Sequence, residues 1–139
     1  MNKPTINDCK LLEFPTMGNL SGQLTFIEGT NNVPFAIKRV FYIYDDPIGG
    51  ERGAHAHVSL HQILICLSGS YDVVIDDGRS KKNIKLNRPS IGLHIPPMIW
   101  SSEINFDPGS VCLVLASHDY DEADYIREYS KFLSDINSN

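Results

Sequence analysis

Two histidines separated by a single residue, His55 and His57, are the side chains of this sequence best suited to chemistry. If they lie on a β-strand, residues two apart point to the same face, so both imidazoles would enter one cavity. Imidazole titrates near neutral pH and is also the commonest transition-metal ligand among side chains. The pair therefore predicts either a proton-transfer site or a metal site.

The elements that must position this pair are short strands. From about residue 22 to 117, apolar runs alternate with residues typical of turns, which predicts an all-β sandwich or barrel. Asp77-Gly78 is a strong hairpin signal, and Pro96-Pro97 marks another break. The predicted strands are 22–27, 36–44, 53–58, 62–68, 71–76, 83–86, 91–95 and 111–116.

Near the end of the chain, the apolar residues recur with the period of a helix rather than that of a strand. Ile126, Tyr129, Phe132 and Leu133 recur at helical spacing, and acidic residues precede them, where a helix dipole favours negative charge. We predict a C-terminal α-helix over about 122–135 that packs one face onto the barrel. Residues 1–20 are harder to place. One interpretation is that they form an edge strand, which could pair with a second subunit.

Composition narrows the class of protein. The 139 residues suit one domain spanning 1–139, and a net charge of −5 without a basic stripe argues against nucleic-acid binding. No apolar run approaches the roughly 18 residues needed to cross a bilayer, and the start lacks a signal-peptide core. Three scattered cysteines without a Cys-x-x-Cys motif fit a reducing compartment, so we expect a cytoplasmic protein.

About eight antiparallel strands with an internal His-x-His pair resemble a cupin, a small double-sheet jelly roll. In metal-binding cupins a Glu follows the pair, and here Gln62 stands at that spacing, with Gly69 where the motif has Gly. The later His of such sites falls at Ser101. Two of four ligands are thus missing, and two neutral imidazoles make a poor divalent-metal site. We predict a site with no metal and no other cofactor.

Several longer segments carry a more specific resemblance than the histidine pair. They are 37–43, 52–57, 62–70, 76–78, 92–93, 113–117 and 120–127, of which the last is the most distinctive. On these segments the chain resembles the sugar-nucleotide 3,4-ketoisomerases, which are cupins that act on dTDP-4-dehydro-6-deoxyglucose. The resemblance covers about 22–133.

The resemblance implies a metal-independent enzyme that moves a ketone from C4 to C3 of a dTDP-linked 4-keto-6-deoxyhexose through an enediol. It also implies a homodimer with exchanged N-terminal strands and a role in deoxysugar synthesis for bacterial surface glycans such as O-antigen lipopolysaccharide. The chemistry needs a base for the C3 proton, an acid for C4 and stabilisation of the developing oxyanion. A non-catalytic cupin that binds sugar nucleotides is the alternative function.

Acid–base roles are assigned to three residues. We predict His57 as the base, with His55 as its proton-relay partner or second acid–base group, and the opposite assignment stays open. Tyr42 is the predicted hydroxyl partner, able to donate to the C4 oxygen or to pass a proton.

Binding roles fall to other residues. Arg39 and Arg52 are expected to neutralise the pyrophosphate, because the guanidinium fork suits phosphate and stays charged. Gln62 is expected to hydrogen-bond a sugar hydroxyl, or else to satisfy a buried backbone group.

Two serines depart from the resembled family. Ser21, before the glycine that we align with Gly22, and Ser101, after Trp100, stand where larger or charged residues are common. We expect both near the sugar, where they would influence the stereochemistry at C4. Trp100 is expected to pack at the barrel mouth, where an aromatic ring could stack on the thymine.

Overall fold

The computed structural model describes residues 3–138. Within that range the chain forms one α-helix, α1 (Tyr129–Asn137), and two short 3-10 turns at Ile6–Asp8 and Glu122–Asp124. The strands are β1 (Lys10–Glu13), β2 (Thr16–Asn19), β3 (Gly22–Thr25), β4 (Arg39–Ile43), β5 (Glu51–His57), β6 (Gln62–Ser68), β7 (Tyr71–Asp76), β8 (Lys81–Leu86), β9 (Ile91–Ile95), β10 (Trp100–Ile104), β11 (Val111–Ala116) and β12 (Tyr125–Ile126).

The strands form two five-stranded antiparallel sheets and a separate hairpin. One sheet has the order β1-β9-β6-β11-β4, and the other has the order β12-β5-β10-β7-β8. Among residues 3–138, strands β2 and β3 pair only with each other, and we call Thr16–Thr25 the N-terminal hairpin. This double-sheet architecture with a C-terminal helix confirms the predicted cupin jelly roll.

The main apolar core lies between the sheets. Its members include Leu64, Tyr71, Val73, Leu93 and Val114, all at most 2% exposed. A second cluster, around Ile63 and Ile65, fills the other side of β6. Because β6 is covered on both faces, its sequence is an unbroken apolar run rather than an alternating one.

The C-terminal segment differs from the prediction. The α-helix begins at Tyr129 rather than near 122, because the preceding residues turn and then pair with β5. The Asp124 carboxylate accepts hydrogen bonds from the backbone N–H groups of Ser59 and Leu60, which fixes the turn to the end of β5. Helix α1 packs through Phe132 and Ile136, as expected of an amphipathic helix.

All eight predicted strands are present, four of them with the predicted bounds. Four further strands, β1, β2, β10 and β12, were not among them. Strand β1 is an edge strand, as one interpretation of residues 1–20 held, and it pairs with β9 of the same chain. No helix within residues 3–138 has the length and apolarity to cross a membrane.

Candidate active site

His55 and His57 share one face of β5, as their spacing predicts. Their ring centroids lie 4.9 Å apart in an edge-to-face arrangement, while Ala56 between them is buried on the opposite face. The Tyr125 ring contacts both imidazoles, with centroids 4.9 Å from His55 and 4.4 Å from His57. Strand β12 holds Tyr125 there, because Tyr125 pairs with His57 in the sheet.

Hydrogen bonds fix the tautomer of each ring. His57 Nδ1 lies 3.2 Å from Asp124 Oδ2, and His55 Nδ1 lies 3.0 Å from the Gly53 carbonyl oxygen. A carbonyl and a carboxylate only accept, so Nδ1 of each neutral ring carries the proton. The Nε2 lone pair of each imidazole is therefore available to accept a proton.

Burial keeps both imidazoles neutral. It lowers the pKa of His57 to about 4, assisted by the nearby His55, while Asp124 opposes the shift. It also lowers the pKa of His55, against a smaller opposing effect of the Gly53 carbonyl. Burial disfavours the charged form of a base, so near neutral pH both rings are in the proton-accepting state.

The imidazoles face a cavity of about 420 Å³, which falls in the range of small-ligand sites. It brings together the predicted binding residues Arg39, Arg52 and Gln62 with the histidine pair. The cavity is lined by Arg39, Phe41, Tyr42, Ile43, Arg52, Gly53, His55, His57, Leu60, Gln62, Leu64, Glu103, Val114, Tyr125 and Arg127.

Arg39 is the cation best prepared for a ligand. Its Nε is buried without a hydrogen-bond partner among residues 3–138, and its guanidinium lies 5.0 Å from the Phe41 ring centroid. Arg39 and His57 also line a neighbouring cavity of about 400 Å³, together with Lys38 and Tyr120. A buried, unpartnered N–H is costly, so the geometry favours an anion at Arg39, where the two cavities meet.

The other two predicted binding residues, Arg52 and Gln62, differ in their solvent exposure. Arg52 is half-exposed, and its Nη1 lies 3.7 Å from Asp46 Oδ1, a long ion pair that leaves donors free. Gln62 is 7% exposed and lines the cavity.

The structure does not bring the Tyr42 ring to the imidazoles. Along β4 the side chains alternate, with Phe41 and Ile43 facing the core and Tyr42 61% exposed beside Tyr44, at a centroid distance of 5.9 Å. Tyr42 therefore lies at the rim of the cavity, and Phe41 has the inward position. Tyr125, rather than Tyr42, contacts both histidine rings.

Unlike Tyr42, three of the predicted site residues do not line the histidine cavity of their own chain. Trp100 packs against Tyr129 and Phe132 of α1, so its ring is not at the barrel mouth. Ser101 pairs with His55 but is 2% exposed and borders neither cavity. Ser21 is exposed at the turn of the N-terminal hairpin.

Sequence reasoning missed three residues of the site. Asp124 and Tyr125 belong to the most distinctive segment, 120–127, but they fell within the helix predicted over about 122–135, whereas the structure places them in a turn and a strand. Glu103 is 7% exposed, and burial raises its pKa to about 7. No sequence signal marked Glu103, because strand β10 itself was not predicted.

Metal ligation has little support in these side chains. No group of three or more His, Cys, Asp or Glu residues between positions 3 and 138 is arranged to hold a metal ion. Gln62, rather than an anionic Glu, stands beside the histidines, and Asp124 is engaged with Nδ1 of His57.

The jelly roll and its cavity define a cupin whose neutral imidazoles, buried carboxyl and arginines suit acid–base chemistry on an anionic ligand. A family model, FdtA (WxcM-like, C-terminal), matches residues 7–137. The chain belongs to this family.

Characterised proteins of similar sequence and structure agree with this assignment. A TDP-4-oxo-6-deoxy-alpha-D-glucose-3,4-oxoisomerase from Aneurinibacillus thermoaerophilus is 44% identical over 123 residues, which is 88% of each chain. A 3,4-ketoisomerase from Helicobacter canadensis superimposes with a TM-score of 0.92 at 46% identity, covering 94% of this chain and 98% of that one.

A second similar structure holds a ligand. It is a His→Asn mutant of the 3,4-ketoisomerase QdtA from Thermoanaerobacterium thermosaccharolyticum, in complex with TDP-4-keto-6-deoxyglucose. Its TM-score is 0.91 at 43% identity, with 92% of this chain and 93% of that chain covered.

Proposed function

We propose that this protein is a 3,4-ketoisomerase that converts a TDP-linked 4-keto-6-deoxyhexose into its 3-keto isomer without a metal or other cofactor. One observation carries the proposal: two neutral imidazoles with free Nε2 lone pairs line a cavity that also contains the Arg39 Nε–H, which has no partner among residues 3–138. The family membership and the activity named for similar proteins support the same reaction.

His57 is the base in this mechanism. It removes the C3 proton, which is acidic because it lies beside the C4 ketone, and gives an enediol. The Asp124 carboxylate stabilises the imidazolium that forms and holds the ring in orientation. The proton then returns at C4, directly from His57 or by relay through His55, whose ring centroid lies 4.9 Å away.

Arg39 binds the pyrophosphate in the proposed complex. Its charge-assisted hydrogen bonds would satisfy the buried Nε, and Arg52 adds a second cation at the rim. With the pyrophosphate at Arg39, the hexose occupies the cavity of the imidazoles. Gln62 then donates to a sugar hydroxyl from the cavity wall.

We also propose a homodimer in which the N-terminal hairpins are exchanged. The hairpin exposes Met17, Leu20 and Leu24 and pairs with no other strand of its own chain within residues 3–138. An isolated two-stranded hairpin is marginal in water, so its apolar side chains favour a second copy as partner. Such an exchange is also the route by which Ser21 could approach the cavity of the partner subunit.

The oligomeric state tests the exchange. We expect light scattering to give the mass of a dimer, and the double variant Leu20→Lys/Leu24→Lys to shift it to monomer. Ile48→Lys is the control, because Ile48 is also an exposed apolar residue but lies in the β4–β5 loop. A wild-type monomer would end this part of the proposal.

Isotope incorporation tests the reaction. The protein is incubated with TDP-4-keto-6-deoxyglucose in deuterated water, and we expect a 3-keto product with deuterium at C4. Tight binding without exchange would instead identify a non-catalytic binding protein. Elemental analysis of the purified protein tests the cofactor, because a stoichiometric transition metal would contradict a metal-independent mechanism.

The cytoplasm is the proposed location. Cys9, Cys66 and Cys112 are all free thiols, and the last two are buried in the core. Free thiols are typical of reducing compartments such as the cytoplasm.

A further inference from the structure

Glu103 is a buried carboxyl group in the cavity and has no part in the steps assigned to His57, His55 and Arg39. It lies on β10, where its residue neighbours in the sheet are Arg52 of β5 and Val73 of β7. Its side chain is 7% exposed and borders the same cavity as both imidazoles. A Cβ at position 53 would lie only 2.7 Å from Glu103 Oε2, so the carboxyl rests directly on Gly53.

Gly53 connects the carboxyl to the histidines. Its carbonyl oxygen accepts the hydrogen bond of His55 Nδ1, so Glu103 and His55 are placed by the same backbone residue. Strand β5 carries a bulge here, with Ser101 opposite His55 and Ser102 opposite Gly53. Bulges beside functional sites re-aim side chains, and this one brings a carboxyl and an imidazole to a common surface.

The surroundings of Glu103 favour its neutral form. Burial is the largest influence on its pKa and raises it to about 7, Arg52 opposes this, and Asp46 adds to it. The groups that face Glu103 from neighbouring elements are Arg52, His55 and His57 on β5, Asp46 in the β4–β5 loop, Tyr71 on β7, Cys112 on β11, and Arg39 and Arg127 across the cavity.

We propose that Glu103 is the acid–base group that moves the hydroxyl protons between the two oxygens of the ketosugar, while the imidazoles move the carbon-bound proton. This inference rests on the proposed ketoisomerase function. Two adjacent oxygens exchange the roles of ketone and hydroxyl, and a carboxyl has two oxygens with which to serve both.

The proton transfers balance without any further acid, base or cofactor. His57 takes the proton from C3 as the protonated Glu103 gives its proton to O4, which yields the neutral enediol. The carboxylate of Glu103 then takes the proton from O3 as the imidazolium returns its proton to C4. The product has a ketone at C3 and a hydroxyl at C4, and both residues regain their starting protonation states.

The variant Glu103→Gln distinguishes proton transfer between the sugar oxygens from a hydrogen-bonding or structural role of Glu103. Its amide has nearly the same size and can still donate a hydrogen bond to O4, but it cannot accept the O3 proton. The base His57 remains, so removal of the C3 proton persists while completion of the isomerisation fails. Glu51→Gln is the matched control, because Glu51 lies on β5 but is exposed and borders a different cavity.

The experiment follows two rates in deuterated water with TDP-4-keto-6-deoxyglucose: exchange at C3 of the substrate and formation of the 3-keto product. For E103Q we expect kcat to fall about a hundredfold or more, with TDP affinity retained. We also expect the ratio of C3 exchange to isomerisation to rise about tenfold. A kcat within about threefold of wild type, or an equal loss of both rates, would overturn the inference.

Wild-type measurements keep the test decisive if E103Q does not fold or bind TDP. A protonated Glu103 requires kcat/KM to decline above about pH 7, and a rate that stays level to about pH 9 would overturn the assignment. If wild type binds TDP but forms no 3-keto product, the proposed function itself fails. If wild type forms the 3-keto product and E103Q does so equally well, only the role of Glu103 is refuted.

Discussion

His57 and Asp124 are joined by a contact between the end of β5 and the turn that precedes β12: His57 Nδ1 lies 3.2 Å from Asp124 Oδ2. The same carboxylate accepts the backbone N–H groups of Ser59 at 2.8 Å and Leu60 at 3.2 Å. Asp124 is therefore held by the backbone that follows the histidine it orients. The C-terminal segment, although distant in sequence, fixes the geometry of the proposed base.

Removal of the base is the first prediction. His57→Asn should keep the fold and TDP binding but lower kcat by about a hundred- to ten-thousand-fold, the usual contribution of a general base. Turnover and TDP affinity are measured together. His94→Asn is the control, since His94 is a half-buried histidine that borders neither cavity near His57. Unchanged turnover in His57→Asn would remove His57 from the mechanism.

Asp124→Asn should act through His57. An amide can donate to Nδ1, which then becomes the acceptor and leaves the proton on Nε2, so the ring can no longer act as the base. We expect kcat to fall at least about a hundredfold while KM changes little. Nitrogen NMR of the imidazole should show the change of tautomer.

Asp121→Asn is the matched control for that variant. Asp121 also accepts a backbone N–H in the same turn, from Ala123 at 3.0 Å, but makes no hydrogen bond to His57. If the two variants lose activity equally, the loss reflects the turn and not the orientation of the imidazole.

Much of the framework followed from local sequence patterns. The apolar runs and turn residues predicted all eight strands between 22 and 117 that they marked, and the two-residue spacing placed both imidazoles on one face of β5. These features depend on backbone periodicity, which the sequence expresses directly. The bounds of β6, β7, β9 and β11 matched because turn residues or prolines flank them.

Other features depend on contacts between distant segments. Strand β10 places the polar residues Ser101 and Glu103 toward the interior, so its sequence lacks the apolar alternation that predicts a strand. Tyr42 was chosen for its hydroxyl, but the alternation of β4 turns Phe41 inward instead. Asp124 and Tyr125 fall within the helix predicted over about 122–135, and only the contacts of this segment with the end of β5 show their place in the site.

Stability should decrease as the pH falls from about 6.5 to 4. Burial is the main cause that lowers the pKa of His57 and of His94 to about 4, and it also lowers that of His55. In this window the unfolded chain binds more protons than the folded one, so the free energy of unfolding drops with decreasing pH. Glu103 acts oppositely between about 4.5 and 7, because its pKa is raised.

Urea unfolding at several pH values measures this slope. His57→Asn and His94→Asn should each make it shallower, because each removes one group whose pKa differs between the two states. The carboxylates Asp72, Asp77 and Glu122, whose pKa values are lowered from ordinary values between 3.8 and 4.5, add to the slope only near the lower end of this window. The slope between pH 6.5 and 5 therefore reports the histidines and the opposing Glu103. A free energy of unfolding that is constant between pH 6.5 and 4 would contradict the neutral, buried state of these rings.

Arg39→Gln should weaken binding of the pyrophosphate. Loss of charge-assisted hydrogen bonds costs about 1.5–3 kcal/mol, which corresponds to a roughly tenfold to hundredfold higher Kd for TDP. Thymidine, which has no phosphate, should bind wild type and variant alike in calorimetric titrations. Arg88→Gln, in the exposed loop before β9, is the control. Equal TDP affinity of wild type and Arg39→Gln would place the pyrophosphate elsewhere.

Gly53→Ala should impair both stability and catalysis. Gly53 has φ +88°, and a Cβ there would meet Glu103 Oε2 at 2.7 Å and the backbone Cα of Ser102 at 3.1 Å.

Gly49→Ala is the control that separates backbone strain from the clash with Glu103. Gly49 also has a positive φ, +73°, but there is open space around a Cβ at that position. A left-handed alanine costs roughly 1–2 kcal/mol, which is the full loss expected for Gly49→Ala. Gly53→Ala should lose more in urea unfolding and also lower kcat, because it displaces the Glu103 carboxyl and the carbonyl that holds His55. Equal losses of stability with unchanged kcat would show that the close approach of Glu103 to the β5 backbone has no part in the reaction.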